Sequence, residues 1–414
     1  MKVAVLTPYF LPYMGGAEVG IHHIASGLCR RHQVHLLVPQ DTSGALYPPW
    51  QEAQNQDWER QAPYAVTRFA EHLSRLRLSA SRKGLLSWIP PVSLRIGRIL
   101  DEQVAAFGPD VVLCFYALPF GRAAGTWGLR TGVPVCLSIM GGEIAGPGSK
   151  LFWPLHIRAA VRRCTHTIYE TPFCARAALG GPLSRRILPI PPPSHIVPFG
   201  VDLALFRPEA DGAAVRRQWG VARDEPLLVT VSRLAQVKNV ELQLHALAHL
   251  VSTHPGIRLM VVGSGNWEQN LRRLAGDLGL ADRVLFAGFV APEQLPPYYQ
   301  AGDLFTYSSR FETFGMVLAE AMACGTPQVA VGRTAVADVV VHGETGLLVP
   351  DFDARAMAEA VRTLLADPRR RAAMALASVA LARREFSWDS VVDRYDQTLV
   401  RLVEQARRDS GSAP

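Results

Sequence analysis

Residues 2–38 read KVAVLTPYFLPYMGGAEVGIHHIASGLCRRHQVHLLV, and their order decides the fold class. Residues 2–7 (KVAVLT) are an apolar run of strand length, followed by a Pro/Gly loop (PYFLPYMGGAE). Ile21, Ile24 and Leu28 then recur at helical spacing, and a second apolar run covers Val34 to Val38. Strand, loop, helix, strand is a βαβ unit, which implies a parallel sheet and an α/β fold. Further strands are predicted at Asp110–Phe115, Val133–Ile139, Thr167–Tyr169 and His195–Val197. This half closes near residue 200, after the stretch PIPPPS, which can be neither helix nor central strand.

The pattern restarts beyond it. Strands are predicted at Leu227–Val231, Leu259–Val262, Val284–Ala287, Leu304–Tyr307 and Gln328–Val331. Helices are predicted at Val240–Leu250, Trp267–Leu278, Gly315–Ala323 and Ala354–Leu365. Two successive doubly wound halves with a hinge near 200–208 predict two domains, with ligands outside the carboxyl ends of the strands and a cleft between the halves. The length of 414 residues suits two domains, and 49% hydrophobic against 19% charged residues excludes a disordered chain.

Six cysteines (Cys29, Cys114, Cys136, Cys164, Cys174, Cys324) are scattered without a CxxC pair, so neither a disulfide framework nor a zinc site is expected. Cytoplasm is the expected compartment. The N-terminus reads as an immediate strand and not as a signal peptide, and no run of ~20 apolar residues predicts a membrane span.

The formal charge of +7 is uneven: residues 1–200 hold 20 basic and 11 acidic residues, the remainder 23 and 25. The excess gathers in Arg68, Arg75, Arg77, Arg82, Lys83, Arg95 and Arg98, interleaved with Leu85, Leu86, Trp88, Ile89 and Leu94. Either a solvated Arg-rich helical face or peripheral association with the anionic inner face of a membrane accounts for such a stretch. No nucleic-acid recognition module accompanies the charge.

Three segments carry chemistry. Gly15-Gly16 and Gly263-Ser264-Gly265 each precede a helix, where a plain turn and a ligand loop read alike. Neither GxGxxG nor a Walker A motif is present. Arg233 and Lys238 follow the strand Leu227–Val231, where two cations can neutralise a diphosphate. Lys238 is also the only lysine after residue 200. Residues 308–327, SSRFETFGMVLAEAMACGTP, place Glu312 in a loop and Glu320 eight positions on. Helical rise would separate those carboxylates by roughly 12 Å, beyond the ~5–9.5 Å of a glycosidase pair. The separation suits opposite ends of one long ligand, with a phosphate at the helix N-terminus between them. Glu320 is surrounded by Val317, Leu318, Ala319, Ala321, Met322 and Ala323, so its carboxylate needs a partner.

On these residues the chain resembles the retaining glycosyltransferases of sequence family 4, whose GT-B fold sets two Rossmann-like domains around a central cleft. The resemblance covers Gly15-Gly16-Ala17-Glu18, Pro198–Asp202, Ser232-Arg233-Leu234 with Lys238, Gly263-Ser264-Gly265, Glu312 to Glu320, and His342–Val349. It implies an N-terminal acceptor-side domain over 1–200 and a donor domain over 201–387. The C-terminal helix, near 388–407, would return to the first domain. It implies sugar transfer from a nucleoside-diphosphate donor to an acceptor hydroxyl, with no metal or other cofactor. Acceptor classes are a glycan, a lipid-linked sugar or a small molecule.

By the same resemblance Arg233 and Lys238 hold the donor diphosphate, and Glu312 meets the sugar hydroxyls. Backbone of Thr313, Phe314, Gly315, Met316 and Val317 adjoins the donor, and Glu320 takes the ribose. Phe289 and Val290 border the base, and Gly15, Gly16 and Gly263 let backbone approach the ligand. One departure stands out. Members often carry His before a Gly-Gly-Asp-like turn, whereas here Met140 precedes Gly141-Gly142-Glu143, making Glu143 the candidate for sugar or acceptor contact. The rival readings are a nucleotide-sugar epimerase or hydrolase and a non-catalytic sugar-nucleotide-binding protein on the same fold. His22 and His23 are expected to be structural.

Overall fold

A computed structural model describes residues 1–8, 10, 16–39, 62–69, 97–141, 144, 153–180 and 193–411. The chain divides into two compact units, Met1–Phe199 with Trp388–Pro414, and Gly200–Ser387.

The first unit is built on seven strands: β1 (Lys2–Leu6), β2 (Gln33–Pro39), β3 (Ala65–Phe69), β4 (Val111–Phe115), β5 (Val135–Ile139), β6 (His166–Tyr169) and β7 (Ser194–Ile196). They run in the order β3-β2-β1-β4-β5-β6-β7, every pair parallel. Val3 pairs with Val34 on one side and Val111 on the other, so β1 is central. Strands β4 and β5 are buried along their whole length, as expected where helices cover both faces.

The helix Gly16–Cys29 turns Ile21, Ile24 and Leu28 fully inward. Its glycines have a packing role: a Cβ on Gly27 would lie 2.4 Å from Val392 Cγ2, so only glycine admits the helix Trp388–Asp409 this closely. That terminal helix is tied to the first unit at several further points. Asp396 meets His32 at 2.5 Å and Arg31 at 2.8 Å, and the Tyr395 hydroxyl is 2.8 Å from Ser138 Oγ. His23 stacks on Trp388 and His22 bonds the Tyr64 hydroxyl at 2.7 Å, so both are held within the unit.

The second unit carries β8 (Leu227–Val231), β9 (Arg258–Val262), β10 (Val284–Gly288), β11 (Leu304–Tyr307), β12 (Gln328–Val331) and β13 (Gly346–Val349). Their order is β10-β9-β8-β11-β12-β13, again wholly parallel. The chain moves outward from β8 to β10 and then returns to place β11 against β8. The strand order therefore reverses between β8 and β11, and the loops leaving these two strands diverge there, the usual ligand position in such sheets.

The predicted strands and helices are present, with ends moved by one or two residues. Strand β5 starts at Val135 because Pro134 has no N–H to give, although its carbonyl accepts from Val112 N. Two strands had no distinct sequence signal. β3 lies at the sheet edge, largely half-buried and carrying Arg68, and β13 is hidden within the HGETGLLV segment. Helices Arg122–Thr131, Trp153–Val161, Pro172–Leu179 and Pro368–Glu385 were likewise not predicted.

Candidate functional site

Four loops leave the carboxyl ends of neighbouring strands in the second unit, and backbone hydrogen bonds join them. Ser232 N bonds Val262 O at 3.0 Å and Leu234 N bonds Ser264 O at 2.9 Å, linking the loops after β8 and β9. Gly263 N bonds Gly288 O at 2.7 Å, linking β9 to β10. Across the switch point, Arg310 N bonds Val237 O at 2.8 Å, and Ser308 Oγ donates to Asn239 O at 2.8 Å.

These contacts give the glycine loop a structural reason. A Cβ on Gly263 would sit 1.9 Å from Ser232 O, and one on Gly265 2.2 Å from Leu234 O. Gly263 also has φ +126°. The two glycines let the 263–265 backbone cross the loop that carries Arg233.

Lys238 closes a short helical turn, Gln236–Lys238, ahead of Asn239, whose backbone is left-handed at φ +53°. A non-glycine residue there is uncommon, and asparagine is among the least penalised. Asn239 is buried, and its Oδ1 accepts from Arg310 Nη2 at 2.9 Å. The backbone turn at Lys238 is thereby tied to the loop that holds Glu312.

Lys238 and Glu312 form an ion pair through Glu312 Oε1, with side chains 20% and 12% exposed. The Tyr307 hydroxyl donates to the same oxygen at 2.5 Å and lies 3.3 Å from Lys238 Nζ. Glu312 Oε2 has no hydrogen bond to a described residue and is left as an acceptor. Arg233 is exposed; its carbonyl accepts from Ala235 N at 2.9 Å, and its guanidinium has no hydrogen bond or ion pair among the described residues.

Gly315 turns the chain at φ +88° and starts the helix Met316–Ala323. Only residues from Met316 onward rise helically, so the roughly 12 Å separation expected for Glu312 and Glu320 does not describe the loop half of the segment. Phe314 is buried against Phe386, ring centroids 5.5 Å apart, which leaves its backbone and not its ring to meet a ligand. The first-turn amides of Met316 and Val317 lack intrahelical acceptors. Thr313 is half-buried in the same loop.

Glu320 has the partner its apolar setting demands: the Tyr299 hydroxyl donates to Oε2 at 2.5 Å. Part of the residue is accessible, while the surrounding protein desolvates its carboxyl and pushes its pKa up to about 7. After Gly288, Phe289 is 62% exposed and Val290 is half-buried beyond the end of β10.

The second unit thus brings Arg233, Lys238, Gly263, Phe289, Val290, Glu312, Thr313, Phe314, Gly315, Met316, Val317 and Glu320 to one edge of one sheet. Gly16 is exposed at the start of its helix in the first unit. Gly15 and Glu143 lie outside the described residues, as does most of the Arg-rich stretch after Arg68. Met140 is fully buried just beyond β5. Sequence reasoning missed Tyr299, Tyr307 and Asn239. The available signals were a tyrosine closing the strand before the Glu312 loop and an asparagine between Lys238 and a helix.

Among the described residues no group of three or more His, Cys, Asp and Glu could hold a metal, and no helix is long and apolar enough to cross a membrane.

Two family models match the chain: Glycosyltransferase Family 4 over residues 14–205, and Glycosyl transferases group 1 over residues 212–378. The chain is 29% identical over 403 residues to the GDP-mannose-dependent alpha-(1-6)-phosphatidylinositol monomannoside mannosyltransferase of Mycolicibacterium smegmatis, covering 93% of this chain and 94% of that one. It is 39% identical over 208 residues to the D-inositol 3-phosphate glycosyltransferase of Acidothermus cellulolyticus, where the match covers 48% of this chain and 46%, about half, of that enzyme. The fold is shared with Anabaena HepE solved with UDP (TM-score 0.74, 22% identity, 97% of this chain and 100% of that one). It is also shared with sucrose-phosphate synthase of Thermosynechococcus elongatus (TM-score 0.77, 22% identity, 98% and 99%). With two Rossmann-like parallel-sheet units and family models matching residues 14–205 and 212–378, the chain belongs to the group 1, family 4 glycosyltransferases.

Proposed function

We propose that the protein is a hexosyltransferase moving a sugar from a nucleoside-diphosphate donor to an acceptor hydroxyl, with retention and without a metal. One observation carries this reading: Lys238, Glu312 and the start of the helix Met316–Ala323 are held together at the switch point of the second sheet. Lys238 and Arg233 stabilise the charge that develops on the departing diphosphate, assisted by the helix N-terminus. Glu312 Oε2 accepts from a sugar hydroxyl, and Glu320 from the ribose. Arginine and lysine here supply the positive charge that a divalent cation supplies in metal-dependent transferases. Retention follows from same-face displacement, in which the leaving phosphate oxygen takes the acceptor proton. The first unit takes the acceptor, which is a glycan, a lipid-linked sugar or a small molecule; its basic charge suits one at an anionic membrane surface.

Two relatives frame the donor search. One is named for GDP-mannose, and a structural neighbour was solved with UDP. The test is to screen UDP, GDP, ADP, dTDP and CDP for thermal stabilisation, without and then with Mg²⁺. A nucleotide at 100 times its Kd should add about 2.7 kcal/mol. One nucleotide standing out without metal, followed by acceptor-dependent turnover of its sugar conjugate, supports the transferase. Turnover without acceptor would point to a hydrolase or epimerase. Binding without turnover would leave a sugar-nucleotide-binding protein.

A further inference from the structure

Tyr307 occupies a position that the donor reading does not use. It is the last residue of β11, 2% exposed, with its ring stacked on Phe305 at 6.0 Å and 19°. Its hydroxyl stands between the two charged groups of the site, 3.3 Å from Lys238 Nζ and 2.5 Å from Glu312 Oε1. The directions of these bonds are fixed. An ammonium can only donate and a carboxylate only accept, so the phenol accepts from Lys238 and donates to Glu312. Burial and the adjacent Glu312 charge raise the phenol well above its ordinary range, so it keeps its proton.

All of this falls on one carboxylate oxygen. Oε1 takes both the ammonium and the phenol, and Oε2 takes neither. A glutamate carboxyl turns easily about its last torsion. Held by Lys238 alone, it can rotate to present both oxygens to the ammonium. The phenol supplies a second anchor in another direction and resists that collapse.

We propose that Tyr307 is a positioning residue for donor-sugar recognition, holding Glu312 by Oε1 so that Oε2 stays available to a sugar hydroxyl. This rests on the reading of the site as one for a nucleoside-diphosphate sugar. It adds that selection of the sugar depends on a hydroxyl that never touches it.

The test uses Tyr307→Phe in the full chain, which keeps the ring and removes one oxygen. The donor is the nucleotide sugar identified by the stabilisation screen, alongside its free nucleoside diphosphate. Expected is a fall of about ten- to a hundredfold in kcat/KM for the nucleotide sugar, the range of a hydrogen bond to a charged group. Affinity for the nucleoside diphosphate, which has no sugar, should change by less than about threefold on the same scale. In a Glu312→Gln background, Tyr307→Phe should cost little further, because the carboxylate it orients is gone. Equal weakening of both ligands, or no change in either, overturns the proposal. So does a full additional loss in the Glu312→Gln background, a readout that stands even if one single variant is poorly stable. Lys238→Ala separates the two levels. If it leaves nucleoside-diphosphate binding intact, the donor reading fails; if it abolishes binding while Tyr307→Phe behaves as wild type, only the present inference fails.

Discussion

The Tyr299 hydroxyl lies 2.5 Å from Glu320 Oε2, and Tyr299 is itself fully buried between the rings of Phe206 and Phe305. Tyr307 stands in the same relation to Glu312 at 2.5 Å. Each site carboxylate is thus held through one oxygen by a buried phenol, with the other oxygen unbonded to the described protein. The two pairs differ in charge balance: Glu312 also has Lys238, whereas burial dominates at Glu320 and lifts it to about 7.

That value predicts a pH dependence of donor affinity. Ribose hydroxyls bond an ionised carboxylate more strongly than a protonated one. Affinity should therefore be flat above about pH 7 and fall toward about tenfold per unit below it. The measurement is Kd for a nucleotide sugar between pH 5.5 and 8.5, since a diphosphate esterified at both ends does not titrate there. Glu320→Gln should remove the slope, and a flat wild-type profile would count against the ribose role.

Stability should respond to pH in opposite senses in the two units. In the second, native Glu320 binds a proton between its ordinary value of 4.5 and about 7 that the unfolded chain has released. Its contribution is full below 4.5 and lost as pH rises through 7. In the first, burial lowers His22 and His166 from 6.5 to about 4, so their contribution is full above 6.5 and lost as pH falls toward 4. Hydrogen exchange resolved by peptide, corrected for intrinsic rates, should show the first unit opening more readily at pH 5 than at pH 7. Glu320→Gln should protect the second unit at pH 8 and leave it little changed at pH 5.

The parallel sheets were legible in the sequence because β1, β4, β8 and β11 are buried runs with turn residues at their ends. Lys238, Glu312 and Glu320 stood out because charge is conspicuous beside apolar strands. Tyr299 and Tyr307 were hidden for the converse reason: in sequence, a tyrosine in an apolar run looks like core, and its hydroxyl acquires meaning only from what lies across the loop. β3 was illegible because an edge strand need not be apolar on both faces. The reason for Gly263 was also invisible, since it lies in the backbone of residue 232, which is distant in sequence.

Gly263 gives a direct test of that crossing. With a Cβ placed 1.9 Å from Ser232 O and φ +126°, Gly263→Ala should destabilise by more than about 3 kcal/mol or prevent folding of the second unit. Gly276 is the control. It lies within the helix Glu268–Asp277 with nothing within 4 Å of an added Cβ, so Gly276→Ala should stabilise by about 0.5–1 kcal/mol. Denaturant unfolding of both variants measures the contrast, and similar midpoints would mean that the loop crossing is looser than described.

The terminal helix offers a last comparison, between ion pairs that differ in exposure. Asp396 has a side chain only 12% exposed and is pulled below the usual carboxylate range by His32 and Arg31, against the opposing effect of burial. Asp389, paired with Arg30, is 81% exposed. Asp396→Ala removes an acceptor from two donors and should cost about 2 kcal/mol, the scale of a hydrogen bond between charged groups. Asp389→Ala should cost less than about 1 kcal/mol, because solvent already screens that pair. Gly27→Ala should resemble Asp396→Ala or exceed it, since its new methyl meets Val392 at 2.4 Å. If all three variants unfold with the wild-type midpoint, the helix contributes little to the stability of the first unit and its contacts there are incidental. If they rank as stated, residues 388–409 are a structural part of that unit despite lying beyond the second unit in sequence.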